Sequence, residues 1–77
     1  MNKALLTYVI ARAGKNNETV AHELGISLRS MQNKMAGRTE FTASEIGALI
    51  KACELSGAEV VDIFFSDKVA VKSTMTA

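Results

Sequence analysis

The stretch VAHELGISLRSMQNKMAG, Val20 to Gly37, carries two short helical patterns with a lone glycine between them. Val20, Ala21 and Leu24 form a narrow apolar stripe at helical spacing. Gly25 stops that helix, since glycine takes the left-handed conformation cheaply. Ile26 is an apolar anchor, and Ser27 is an N-cap for a further helix from Leu28 to about Ala36. Its inward residues are Met31 and Met35, spaced i and i+4, and Gly37 ends it. The outer face reads Ser27, Arg29, Ser30, Gln32, Asn33 and Lys34, mostly neutral amides and hydroxyls.

The flanks are helical too. Leu5, Leu6, Val9, Ile10 and Ala13 repeat at helical spacing, and Gly14 supplies the stop. Asn16 or Asn17 caps the helix of Val20, with Glu18 favouring the positive end of its dipole. Beyond Gly37, Thr42 and Glu45 form a capping box, with Phe41 and Ile46 as a hydrophobic staple. Ile46, Leu49, Ile50 and Cys53 share one face of the helix that follows, and Ser56-Gly57 breaks it. Ala58 to Phe65 reads as a short fifth helix with Val60, Val61 and Phe64 toward the core. Phe64 and Phe65 do not easily face the same core, so one of them is a candidate dimer contact. From Ser66 the period changes: Val69 and Val71 alternate with Lys68, Ala70 and Lys72 in a strand-like pattern. A lone short strand is not stable, so residues 66–77 are either a strand paired with a second copy or a frayed terminus.

Composition bounds the answer. A chain of 77 residues with 48% hydrophobic content makes one domain with a small core and no deep cleft. Absent prolines and few aromatics favour a helical bundle over a sandwich or barrel. The single cysteine, Cys53, rules out an intrachain disulfide and fits a reducing compartment. No apolar run approaches the roughly 18–20 residues that span a bilayer, and the N-terminus lacks a cleavage site; the chain is read as cytoplasmic. Residues 1–38 hold six basic and two acidic side chains, a net of +4, whereas residues 39–77 carry −3. That division fits a molecule presenting one side to an anion.

One His and one Cys make no metal-ligand cluster, and neither a Ser/His/Asp set nor a phosphate-cradling glycine loop occurs. No catalytic residue, metal, cofactor or small-molecule substrate is expected. His22 reads as a surface residue and Cys53 as a core thiol.

Ala21 stands where two helices approach, Gly25 four residues later permits the sharp turn, and Val20, Leu24, Ile26 and Met31 surround it. This pattern, with its Val-Ala-x-x-Leu-Gly-Ile-Ser run, resembles the helix-turn-helix of the phage repressor and Cro family, including the wider xenobiotic-response-element group of regulators. The resemblance spans about Asn17 to Phe65 and continues through Asn33 to Arg38 and through Glu40-Phe41-Thr42 to Ile46. It implies an all-α, compact five-helix bundle of the lambda-repressor-like type, with the domain in residues 1–65. Two positions depart from the family pattern: Lys34 stands where an aliphatic residue is common, and Leu28 where a polar base reader is common.

The resemblance also implies double-stranded DNA as partner, with the helix of Leu28 in the major groove. Ser27, Leu28, Arg29, Gln32 and Asn33 then face base edges. Arg29 suits guanine O6 and N7, Gln32 or Asn33 suits adenine N6 and N7, and Leu28 either meets a thymine methyl or packs. Lys15, Asn17, Thr19, Lys34, Arg38 and Thr39 are the phosphate candidates. A homodimer on a palindrome, its half-sites about 34 Å apart, completes the expectation. Other readings stay open: an antitoxin of the same fold, a helical interaction module without DNA binding, and an Arg29–Glu23 surface pair in place of base reading. The length is Cro-like, or that of a fragment of a longer repressor.

Overall fold

Four helices among the described residues end in the same way. The N–H groups of Lys15, Ile26, Arg38 and Leu55 each donate to the carbonyl five residues back, on Ile10, Ala21, Asn33 and Ile50, at 2.9–3.1 Å. This six-to-one bond closes a helix when the residue before the donor is left-handed. Gly14, Gly25 and Gly37 fill that position at the first three ends. At the fourth it is Glu54, with φ 52°.

The structure, a computed structural model, describes residues 1–65. The helices are α1 (Lys3–Arg12), α2 (Asn17–Leu24), α3 (Leu28–Met35), α4 (Ala43–Cys53) and α5 (Gly57–Val60), the last running on into a π-helical turn, Val61–Phe65. The regular elements among the described residues are all helical, with no strand among them. The strand-like reading of residues 66–77 lies outside them.

Helices α1 to α4 each contribute an apolar stripe to one core. Leu6, Val9 and Ile10 come from α1, Val20 and Ala21 from α2, Met31 and Met35 from α3, and Leu49 and Cys53 from α4. Leu55 and Ile63 close it from the far end. Burying a side chain such as Leu6 or Met31 completely stabilises the fold by about 1.5–3 kcal/mol. Burial also pushes the Cys53 thiol above its ordinary pKa, as suits a packed rather than reactive sulfur. Ala21 is 2% exposed in α2, which packs against both α3 and α4.

The capping box forms as expected: the Thr42 hydroxyl accepts from the Glu45 N–H and the Glu45 carboxylate from the Thr42 N–H. Phe41 meets Phe64 edge-on at 5.8 Å, and shares a hollow of about 400 Å³ with Ile46.

Two boundaries differ from the sequence reading. The fourth helix stops at Cys53, because Glu54 turns left-handed before the Ser56-Gly57 pair is reached. Ser56 then acts as a cap rather than a breaker, forming a second capping box with Glu59. The phase of the fifth element is also corrected. Ile63 is fully buried, Val60 and Phe64 are half-buried, and Val61, expected inside, is exposed. In Val60-Val61-Asp62-Ile63-Phe64-Phe65 apolar side chains surround the axis, so periodicity leaves the inward face undetermined. Phe65 is exposed while Phe64 packs. No helix among the described residues is long and apolar enough to cross a membrane.

Candidate functional site

Between Gly25 and Ser27, three residues reverse the chain from α2 into α3. Gly25 is left-handed at φ 76°, and the Ile26 N–H donates back to the Ala21 carbonyl at 3.0 Å, so the end of α2 is closed without side-chain help. Ser27 is extended, and its hydroxyl oxygen accepts the Ser30 N–H at 3.0 Å. The cap uses the hydroxyl as acceptor and leaves its proton free to donate outward.

In α3, Met31 and Met35 anchor the inner side. Arg29, Gln32, Asn33 and Ala36 follow one another at i, i+3, i+4 and i+7, which puts them along a single stripe on the opposite side. Ser27, Leu28, Arg29 and Gln32 are exposed and Asn33 is half-buried. Arg29 and Gln32 form no ion pair or side-chain hydrogen bond among the described residues. Asn33 does: its Oδ1 accepts from Arg38 Nη1 at 3.2 Å. Leu28 is 37% exposed and lines a shallow hollow with Thr7, Ile10 and Ala11 of α1. Part of its surface therefore packs, and part faces out.

The phosphate candidates divide. Asn16, rather than Asn17, caps α2; its Oδ1 accepts from both the backbone N–H and the hydroxyl of Thr19, at 2.8 and 3.0 Å. Thr19 thus has its amide engaged, and the first free N–H groups of that helix belong to Asn17 and Glu18. Lys15 pairs with Glu23 at 2.8 Å, so Glu23 takes Lys15 and not Arg29 as its partner. Arg38 and Thr39 are exposed just past α3.

Lys34 requires a correction. Expected as a phosphate contact, it is 8% exposed, and its ammonium lies 3.0 Å from Glu45 Oε1. It also donates to the Glu40 carbonyl at 3.1 Å and sits 5.8 Å from the Phe41 ring centroid. The physical reason is its place on the wheel beside Met31, three residues on, at the edge of the buried face, which lets its stem run inward. Glu45, whose local pattern points only to its capping box, thus also serves as the partner of Lys34. Its carboxyl is held below the ordinary range first by the Thr42 backbone N–H and then by Lys34, against the opposing effect of burial.

The charge balance shifts accordingly. Arg12, Lys15 and Lys34 are each paired with an acidic side chain, which leaves Lys3, Arg29 and Arg38 as the cations of residues 1–38 without such a pair among the described residues. Among those residues no three His, Cys, Asp or Glu side chains gather into a metal-binding group. Comparison of the chain with protein-family models, with curated proteins and with solved structures found no match.

Proposed function

We propose that the chain is a sequence-specific DNA-binding regulator with the lambda-repressor-like fold, of the phage repressor and Cro type, acting in the cytoplasm. Helix α3 enters the major groove of duplex DNA and reads base edges with Ser27, Arg29 and Gln32, while Leu28 offers its outward part to a thymine methyl. The observation that carries this reading is the outer stripe of α3. Arg29, Gln32 and Asn33 stand side by side opposite the buried methionines, on a short helix closed against α2 by a three-residue turn. Amides supply a donor and an acceptor on one group, which a base edge requires and an ordinary solvated face does not.

Phosphates are held at the flanks by Arg38, Thr39 and the free N–H groups of Asn17 and Glu18. A domain with so few unpaired cations binds a half-site weakly, and a dimer on a palindrome doubles the contacts. Val61 and Phe65, each 40% exposed and four residues apart on the last helical segment, support a second copy there. Selection of bound duplexes from a randomised library tests the reading. The expected outcome is an enriched palindromic site; retention of no duplex at low salt overturns it.

The small number of unpaired cations favours a second reading, a helical protein-interaction module. A salt titration separates the two, because phosphate-driven binding weakens steeply with ionic strength.

A further inference from the structure

The ion pair between α3 and α4 has no part in the contacts just described. Lys34 leaves the inner side of α3 and Glu45 the first turn of α4, and their side chains are 10% and 14% exposed. The oxygen that takes the ammonium, Glu45 Oε1, also accepts the Thr42 N–H at 2.8 Å. The ammonium reaches the Glu40 carbonyl as well. One buried cluster thus joins the last turn of α3, the end of the loop and the first turn of α4.

Stability alone does not account for this choice. A buried ion pair gains little over an apolar pair of similar volume, because both charges lose their water. What it supplies is direction, since charge-assisted hydrogen bonds hold short distances and defined angles. The other inward anchors of α3, Met31 and Met35, are unbranched and adaptable and fix its rotation poorly.

We infer that Lys34 and Glu45 are positioning residues, which set the rotation at which α3 presents Arg29 and Gln32 to base edges. This deepens the DNA-binding reading and rests on it. Asn33 adjoins Lys34 in the chain, so a rotation of α3 about its axis moves the reading stripe directly. A phosphate role for Lys34 gives the opposite expectation, because Glu45 would then compete with DNA for the ammonium.

The test uses the full chain and the duplex enriched by selection, with binding followed by fluorescence anisotropy across a salt series. The variants are Glu45→Gln and the pair Lys34→Met/Glu45→Gln. Glutamine keeps the capping bond to the Thr42 N–H and removes the charge that faces Lys34. Glu45→Gln is expected to weaken binding to the preferred duplex about ten-fold, the scale of one lost base contact. Its discrimination against a scrambled duplex narrows, and its salt slope stays that of the unmodified chain. The double variant buries no unpaired charge and is expected to melt within a few degrees of the unmodified chain while showing the same broadened preference. If Glu45→Gln alone unfolds, the double variant carries the comparison. Tighter binding of Glu45→Gln to all duplexes with a steeper salt slope overturns the inference, as does unchanged site preference in the folded variants. Failure of the unmodified chain to retain any duplex overturns the DNA-binding reading and this inference with it, and that arm involves no variant.

Discussion

The Arg12 guanidinium donates two hydrogen bonds to the Glu59 carboxylate, Nη1 to Oε2 at 2.5 Å and Nη2 to Oε1 at 3.0 Å. This parallel pair joins the last turn of α1 to the first turn of α5, residues 47 apart in the chain. Glu59 Oε1 also accepts the Ser56 N–H at 3.0 Å, so the same carboxylate closes the cap of α5.

Arg12, and after it the Ser56 N–H, hold the Glu59 carboxyl down to about 2, from an ordinary value of 4.5. A depressed carboxyl pKa contributes stability above the unfolded value and loses it as the pH falls through the folded one. Melting temperature is therefore expected to decline between about pH 4.5 and pH 2. Glu59→Gln keeps a capping residue at this position and removes the titration. Its curve is expected to be flatter across the same window; identical curves would falsify the assignment.

Glu54 occupies the left-handed position that glycine takes at the other three helix ends. A residue with a Cβ pays steric energy there, partly offset by the greater freedom glycine gains when unfolded. Glu54→Gly is expected to stabilise the domain by about 0.5–1 kcal/mol, read by urea denaturation. A destabilisation of the same size would show that the Glu54 side chain has a role that its exposed position does not reveal.

Thr42→Ala removes the hydroxyl that caps α4 but leaves Glu45 in place. The cost is expected to be about 1 kcal/mol, typical of a lost N-cap. Circular dichroism with chemical denaturation measures it, and a cost near zero would mean that the Glu45 carboxylate and the packing of Phe41 already hold this end.

On DNA, the outer stripe and the flanks are expected to separate. Gln32→Ala should cost about 1–3 kcal/mol on the preferred base pair and little on its variants, as follows from the base contact proposed for it. Arg38→Ala should weaken binding about equally across sequences and lower the salt slope by about one. Asn33 stands between these classes, since its Oδ1 already accepts from Arg38. Competition binding with single-base variants of the site distinguishes the two patterns.

The sequence carried more of the fold than of the site's interior. The glycine stops at Gly14, Gly25 and Gly37 and the Thr42 box were legible because each has a short-range cause: one backbone conformation, or one bond across three residues. Glu54 was not legible because the left-handed turn falls there on a residue type that does not prefer it. The Ser56–Glu59 box had the same local signal as Thr42–Glu45 and was masked by the glycine beside it. Lys34 misled for a different reason. Its charge argued for the surface and its spacing of three from Met31 for the interior, and the spacing prevailed because Glu45 supplies a buried counter-charge from another helix. No local pattern announces a partner eleven residues away whose oxygen is already engaged in a cap.

The Asn2 N–H donates to the Ile63 carbonyl at 2.7 Å, and Asn2 also caps α1 through Leu5. Together with the Arg12–Glu59 pair, this fastens α1 at both its ends to the last helical segment. Opening either element breaks bonds to the other, so their amides are expected to exchange as one unit. Under the proposed dimer, a second copy docked on Val61 and Phe65 is therefore expected to slow amide exchange in α1 as well as in the last helical segment.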